Sequence, residues 1–403
     1  MESRQEQRRK RLLVLGAGPA QLGLLVEARR RDLHVVAADR DPGAPGFRYA
    51  DRRAIVSAED EPAIERLARA ENVDGLIAPG IDWAVAIAAR VAHRLGVDHP
   101  LDPETALLAT SKPRQRACLG RHGVPQPRSK LVSEPDDELG YPCVVKAPDR
   151  QGQRGLTLVR EAFELPAAVS EAIGASRGGN ALIEELVEGP EVTVNGFSLD
   201  GVFVPLTVTD RLTAAPPAFG VALAHVWPSA QAVEDAVAVA ARAVEALGIR
   251  NGPSYTQLRL GPDGAQVIEL AARLGGGHDA ELCRAALGVN MNGLALSLAL
   301  GEQVEEGAAR PDAQVGGACV RFLVAPVGQL RSVEGIEDAL RVEGIEAAGA
   351  YRRPPWHFGE LRRGSDRAGF VLATGDSAEA ALRSADRAAE RIRFRMADAE
   401  AFV

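Results

Sequence analysis

Residues 141–159 read YPCVVKAPDRQGQRGLTLV, an apolar run that delivers Lys146 and passes at once into Asp149-Arg150-Gln151-Gly152-Gln153-Arg154-Gly155. A second apolar run, LTLV (156–159), follows. Two strands around a loop of glycine, glutamine and arginine suit a polyphosphate. Backbone N–H groups freed by glycine can wrap it, while a lysine reaches the α- and β-phosphate oxygens. A hairpin loop with an exposed lysine is the plainer alternative, but an unpaired cation ending an apolar strand is costly without an anion beside it. The chain has only four lysines (Lys10, Lys112, Lys130 and Lys146) against 43 arginines. Lysine is a slim point charge that arginine's planar fork does not copy. Lys112 and Lys146 are therefore singled out, whereas Lys10 and Lys130 read as solvated surface residues.

Working toward the C-terminus, ALIEELV (181–187) is a strand, EVTVNGFSL (191–199) alternates with period two, and VFVPLTVTD (202–210) continues it. Glu184-Glu185-Leu186-Val187 offers a backbone C=O and N–H that match the N6 and N1 edge of adenine. Glu191 can accept both ribose hydroxyls. Taken alone, this is equally a strand with a solvated acidic end. A helix is expected over 230–247. SYTQLRL (254–260) and AQVIEL (265–270), joined by GPDG, read as a β-hairpin. Its facing Gln257 and Glu269 can share Mg2+, which takes oxygen ligands and leaves positions for phosphate. Arg273 follows, placed to hold a transferring phosphoryl group, and then Gly275-Gly276-Gly277-His278.

Toward the N-terminus the rhythm differs. RLLVL (11–15), LHVVAA (33–38) and DGLIAP (74–79) alternate with helices near 20–31, 61–71 and 82–95, the pattern of a parallel sheet flanked by helices. Gly16-Ala-Gly18-Pro-Ala-Gln21, with Asp39 ending the second strand, has the form of a dinucleotide turn. Gln21 fills its third glycine position and Pro19 removes a backbone donor, so no nicotinamide cofactor is expected. A helix at 113–122 opens the middle block. After a polar stretch at 302–314, short strands (GACVRFLVA, AGFVLAT) and a closing helix at 377–393 end the chain.

With 403 residues, a formal charge of −8 and 25% charged residues, the chain has the composition of a multidomain globular protein. Its acidic balance excludes a nucleic-acid or membrane-surface protein, which needs a basic face. No apolar run approaches a bilayer span. Cys118, Cys143, Cys283 and Cys319 show neither metal spacing nor a disulfide framework. The basic start MESRQEQRRKRLLVLGAG is broken by Gly16, Gly18 and Pro19 and reads as folded protein rather than a signal peptide. A cytoplasmic location is expected.

The order Lys112, Lys146 with its glycine loop, EELV with Glu191, then Gln257, Glu269 and Arg273 resembles the ATP-grasp superfamily over nearly the whole chain. LGAGPAQLGLL and VVAADRDPGAPG are similar to its pre-ATP-grasp domain, and GACVRFLVAPVGQL with RAGFVLATGDSAEAALRSA to the C-terminal domain of L-amino acid ligases and related carboxylate–amine ligases. The resemblance implies α/β and α+β architecture. A Rossmann-like domain would cover 1–110 and an ATP-grasp domain 111–310, its small subdomain about 111–187 and its large one about 188–310. A C-terminal α+β domain would cover 311–403.

ATP would contact Lys112, Lys146, Gln151, Gly152, Gln153 and Gly155 through its phosphates, Glu184, Glu185, Leu186 and Val187 through adenine, and Glu191 through ribose. Gln257 and Glu269 would carry Mg2+, or Mn2+ in its place. Arg273 and Lys146 would be catalytic, with Arg273, Gly276, Gly277, His278 and His225 on the substrate side. The implied activity joins a carboxylate to an amine through an acyl phosphate, releasing ADP and phosphate. Small-molecule substrates and a homodimer are the implied partners. Many relatives have Glu at the position of Gln257 and Asn at that of Ala271. A purine-pathway relative such as a carboxyaminoimidazole ribonucleotide synthase, or a non-catalytic nucleotide sensor, is the alternative.

Overall fold

The computed structural model describes residues 8–305 and 307–397. Its first sheet is four-stranded and parallel, in the order Arg52–Ala54, His34–Ala38, Arg11–Leu15, Gly75–Ile77. Leu12 to Leu15 are all fully buried, as expected of a parallel strand covered on both faces. The helices Glu61–Glu71 and Asp82–Leu95 fall where the periodicity put them. The helix expected from residue 20 begins two residues later, at Leu22, because Pro19 opens a short 3₁₀ turn instead.

A second sheet is antiparallel and holds the strand of Lys146 and the one that follows the glycine loop. Its order is Ser129–Val132, Ala181–Glu185, Cys143–Lys146, Leu156–Val159. The helix Leu165–Ala175 covers its apolar face through Leu165, Ala168, Val169 and Ala172. The glycine loop 147–155 therefore projects from a rigid hairpin.

The third sheet has eight antiparallel strands: Gly264–Ala271, Gly252–Gly261, Glu191–Leu199, Val202–Thr213, Ala222–Trp227, Gly317–Leu323, Gly369–Gly375 and Ile345–Ala350. Period two decides its faces. Val192, Val194, Leu258 and Val267 pack against the helix Glu234–Ala246, which leaves Glu191, Thr193, Asn195, Tyr255 and Gln257 on the other side. The hairpin pairs Gln257 directly with Glu269. Ala222–Trp227, absent from the sequence reading, is the strand that joins the middle of the chain to Gly317–Leu323. One sheet thus runs unbroken past position 311.

The closing helix is shorter than the 377–393 expected, spanning Ala378–Ala389. Beyond it Arg393–Met396 alternates polar with apolar residues and forms a strand on Gly328–Glu334. Among the described residues no single helix is long and apolar enough to cross a membrane.

Candidate active site

The second and third sheets face each other across a pocket. Lys112, Lys146, Gln151, Gly152, Gln153, Glu184, Glu185, Leu186, Val187, Glu191, Gln257 and Glu269 all line it. Gly155 does not. Its φ of +63° and its backbone, where a Cβ would stand 2.9 Å from that of Ala175, make it a turn residue seating the loop on the helix.

Both lysines are held by carboxylates. Lys146 Nζ lies 2.6 Å from Glu184 Oε2, and Arg116 Nε lies 2.9 Å from Glu184 Oε1. The anion that the strand-ending lysine required is therefore internal. Burial pushes the Lys146 ammonium down, and Arg116 and Lys112 add to this against the pull of Glu184. Burial works to raise Glu184, but Arg116 and Lys146 outweigh it and keep it ionised. Both Glu184 oxygens are engaged, so its carboxylate supports the lysine and only its backbone is left to face a base. Lys112 Nζ donates to Glu269 Oε1 (2.8 Å) and to the Arg150 carbonyl (2.8 Å). Burial opposes ionisation of Glu269, yet Lys112, with Lys146 and Arg273, outweighs it and holds the carboxyl below the usual carboxylate range.

Glu191 is a hub. Arg211 Nε stands 2.5 Å away, Gln257 Nε2 donates to it at 2.6 Å, and Arg259 lies at 3.2 Å. With its amide nitrogen committed to Glu191, Gln257 keeps a carbonyl oxygen beside the Glu269 carboxylate. One carboxylate and one amide oxygen make a thin but suitable oxygen donor set for a hard divalent cation whose remaining ligands are phosphate oxygens and water. Among the described residues there is no cluster of three or more His, Cys, Asp or Glu that could hold a metal without such help.

A cleft of about 530 Å3 adjoins the pocket and shares Lys112, Gln151, Gln257 and Glu269 with it. Arg273, His225, Gly276 and Gly277 line this cleft. His278 does not; it stacks on Phe370 at 3.8 Å and meets Tyr351 Oη at 2.8 Å. Arg273 is fixed by the first hundred residues, its Nε 2.5 Å from Asp82 Oδ1 at the start of the helix Asp82–Leu95. The loop is drawn to the same place. Gln151 donates to the Gly80 carbonyl (3.0 Å) and accepts from the Asp82 N–H (2.6 Å). Arg177 reaches Glu59 and lies 4.6 Å over the Trp83 ring.

Several lining residues escaped the sequence reading: Asp82, Arg211, Tyr255, Tyr351, Arg352 and Arg367. Arg211 donates to Tyr255 Oη at 2.6 Å. Arg367 sits 3.7 Å over the Phe322 ring and donates to the Gly364 carbonyl. The N-terminal turn also borders the cleft, but it is filled. Gln21 is buried and donates to the Pro79 carbonyl at 2.5 Å, while Asp39 accepts from Ala17 N at 2.8 Å and Asp41 N at 2.9 Å.

Residues 139–281 match the family model described as ATP-grasp domain, and residues 321–397 match L-amino acid ligase C-terminal domain 2. The uncharacterized protein y4rH of Sinorhizobium fredii (strain NBRC 101917 / NGR234) is 28% identical over 390 residues, 91% of this chain and 79% of that one. A formate-dependent phosphoribosylglycinamide formyltransferase of Burkholderia thailandensis is 27% identical over 95% of each chain. The crystal structure of L-amino acid ligase from Bacillus licheniformis has the same fold, with a TM-score of 0.81 at 23% identity over 97% of this chain and 100% of that one. Over residues 139–281 the chain carries an ATP-grasp domain. Over residues 321–397 it carries a C-terminal domain of the L-amino acid ligase type.

Proposed function

We propose that the chain phosphorylates a small carboxylate with ATP and passes the acyl group to an amine, giving an amide or dipeptide with ADP and phosphate. The observation that carries this reading is the shared wall. Lys112, Gln257 and Glu269 border both the nucleotide pocket and the cleft that holds Arg273, so a γ-phosphate at that wall is within reach of a carboxylate in the cleft. The carboxylate is its own nucleophile toward phosphorus, and no protein nucleophile is needed.

In this reading Lys146 and Lys112 neutralise phosphate oxygens, Gln151, Gly152 and Gln153 close over them, and Leu186 and Val187 present backbone to adenine. Glu191 takes the ribose hydroxyls. Arg273, aligned by Asp82, counters the charge of the acyl phosphate. Glu269 and Gln257 are the residues that would hold Mg2+, or Mn2+ in its place. When bound, it supplies charge neutralisation between phosphate groups. The four cysteines are buried and free, in keeping with a reducing cytoplasm. A homodimer is compatible with this site, all of whose residues come from one chain.

A second reading, a purine-type ligase acting on a phosphoribosyl amine, is favoured by Arg40, Arg154 and Arg367 on the cleft wall. One experiment separates the two. ADP release is measured with a panel of the twenty protein amino acids, formate, acetate and succinate, singly and in pairs, with and without hydroxylamine. Aminoimidazole ribonucleotide and phosphoribosylglycinamide form a parallel arm. Hydroxamate formed in step with ADP from an amino acid, acetate or succinate supports the ligase reading. ADP release driven only by a ribonucleotide replaces it with the second, and no ADP release in either arm leaves a nucleotide sensor.

A further inference from the structure

His225, on the cleft wall, and Asp279 behind it form a fully buried pair, His225 Nδ1 standing 3.0 Å from Asp279 Oδ1. Asp279 is itself fixed, since its Oδ2 accepts from Gly277 N at 3.0 Å and Asn195 Nδ2 approaches Oδ1 at 3.4 Å. An ionised carboxylate at Nδ1 requires the proton on that nitrogen, which leaves Nε2 with its lone pair. Nε2 is buried and has no hydrogen-bond partner in the protein. A buried polar atom without a partner is uncommon and calls for a ligand. The ring edge meets bare backbone there, because a Cβ on Gly277 would stand 2.8 Å from His225 Cε1 and 3.2 Å from Phe322 Cζ. Both His225 and Gly277 line the 530 Å3 cleft beside Arg273.

We infer that His225 accepts at Nε2 the proton that the amine loses as it attacks the acyl phosphate, and that Asp279 is the positioning residue for its ring. This rests on the ligase reading. The amine, arriving as the free base, uses its lone pair to form the C–N bond. The C–O bond to phosphorus's bridging oxygen breaks, its electron pair leaves with inorganic phosphate, and one N–H proton passes to Nε2. A base must be uncharged to do this. Burial holds His225 below the ordinary imidazole range, Asp279 pulls the other way, and Arg211, from the neighbouring strand, and Arg367, from the loop before Gly369–Gly375, add to the lowering. The balance favours the uncharged ring that a proton acceptor needs.

The test compares two acceptors for one acyl phosphate. Hydroxylamine is a strong nucleophile already uncharged near neutrality, whereas an amino acid amine depends on a base. Wild type and His225→Asn are given ATP, Mg2+ and the panel of carboxylates above, and hydroxamate and dipeptide or amide are quantified by mass spectrometry. The ratio of amide to hydroxamate is expected to fall about 100-fold in His225→Asn, the scale of a lost general base. Asp279→Asn is expected to move the ratio in the same direction, and it decides the matter if His225→Asn does not fold. An unchanged ratio, with both products falling together or neither falling, overturns the assignment while leaving the ligase reading intact. No hydroxamate from any carboxylate with the wild type overturns both.

Discussion

Asp82, at the start of a helix in the first hundred residues, holds Arg273 through a 2.5 Å contact from Oδ1 to Nε. The same residue's N–H donates to Gln151 in the glycine loop, so one residue ties the loop to the arginine of the cleft. Asp82→Asn keeps the size and the backbone contact but removes the charge that aligns Arg273. The expected result is a fall in kcat of about 10²-fold, typical of a misplaced reacting group, with KM for ATP little changed. A fall in ATP affinity alone would show that Asp82 serves the loop and not the arginine.

Lys146→Arg is expected to reduce turnover by about 10²–10³-fold, the cost of losing a positioned charge stabiliser. Glu184 is already shared by Lys146 and Arg116, and a second guanidinium does not fit between them as a point charge does. Glu184→Gln is expected to lower stability by about 3–5 kcal/mol, because it strands two buried cations. Steady-state ADP release checks the first, and denaturant unfolding, with the wild type as reference, checks the second.

Gln257→Glu places a carboxylate where an amide now donates to Glu191 at 2.6 Å. Without metal the two acids repel, so the melting temperature should fall. Adding Mg2+ with ATP should restore it by more than in the wild type, since binding to the native state stabilises by mass action. Equal Mg2+ responses in the two proteins would remove Gln257 from the metal site. Glu269→Ala should abolish turnover.

His99 sits with its Nδ1 against the backbone of Leu101, and burial brings its pKa down to about 4. The unfolded chain binds this proton near 6.5, the folded chain only near 4. Between these values the unfolded state holds more protons, so stability rises with pH from 4 to 6.5 and this contribution is complete above it. His99→Gln should flatten that part of the melting-temperature profile. A profile parallel to wild type would show that His99 titrates normally.

NADH and NADPH should not bind. Asp39 has both oxygens committed to Ala17 and Asp41 backbone N–H groups, and Gln21 fills the turn. A saturable nicotinamide fluorescence change would contradict this account of the turn.

The strand ending in Lys146 and the hairpin carrying Gln257 and Glu269 are legible because local pattern specifies them: apolar runs, alternation and a GPDG turn. Residues reached through long-range pairing are not. Asp82 is an ordinary helix start until it meets Arg273 nearly two hundred positions later. Arg211 and Arg367 carry no local signal in a chain with 43 arginines. The strand Ala222–Trp227 is short, and only its pairing with Gly317–Leu323 makes it central. Glu184 is legible as the end of a strand, but the direction of its carboxylate, toward Lys146, depends on Arg116 from the helix Lys112–Arg121.

The central claim is that a substrate carboxylate attacks the γ-phosphate. It is tested most directly by supplying the carboxylate labelled with 18O on both oxygens, together with ATP, Mg2+ and the amine, and by weighing the inorganic phosphate released. An acyl phosphate leaves one carboxylate oxygen on that phosphate, so one 18O per phosphate is expected in step with amide formed. Phosphate without the label, released while amide accumulates, would contradict it.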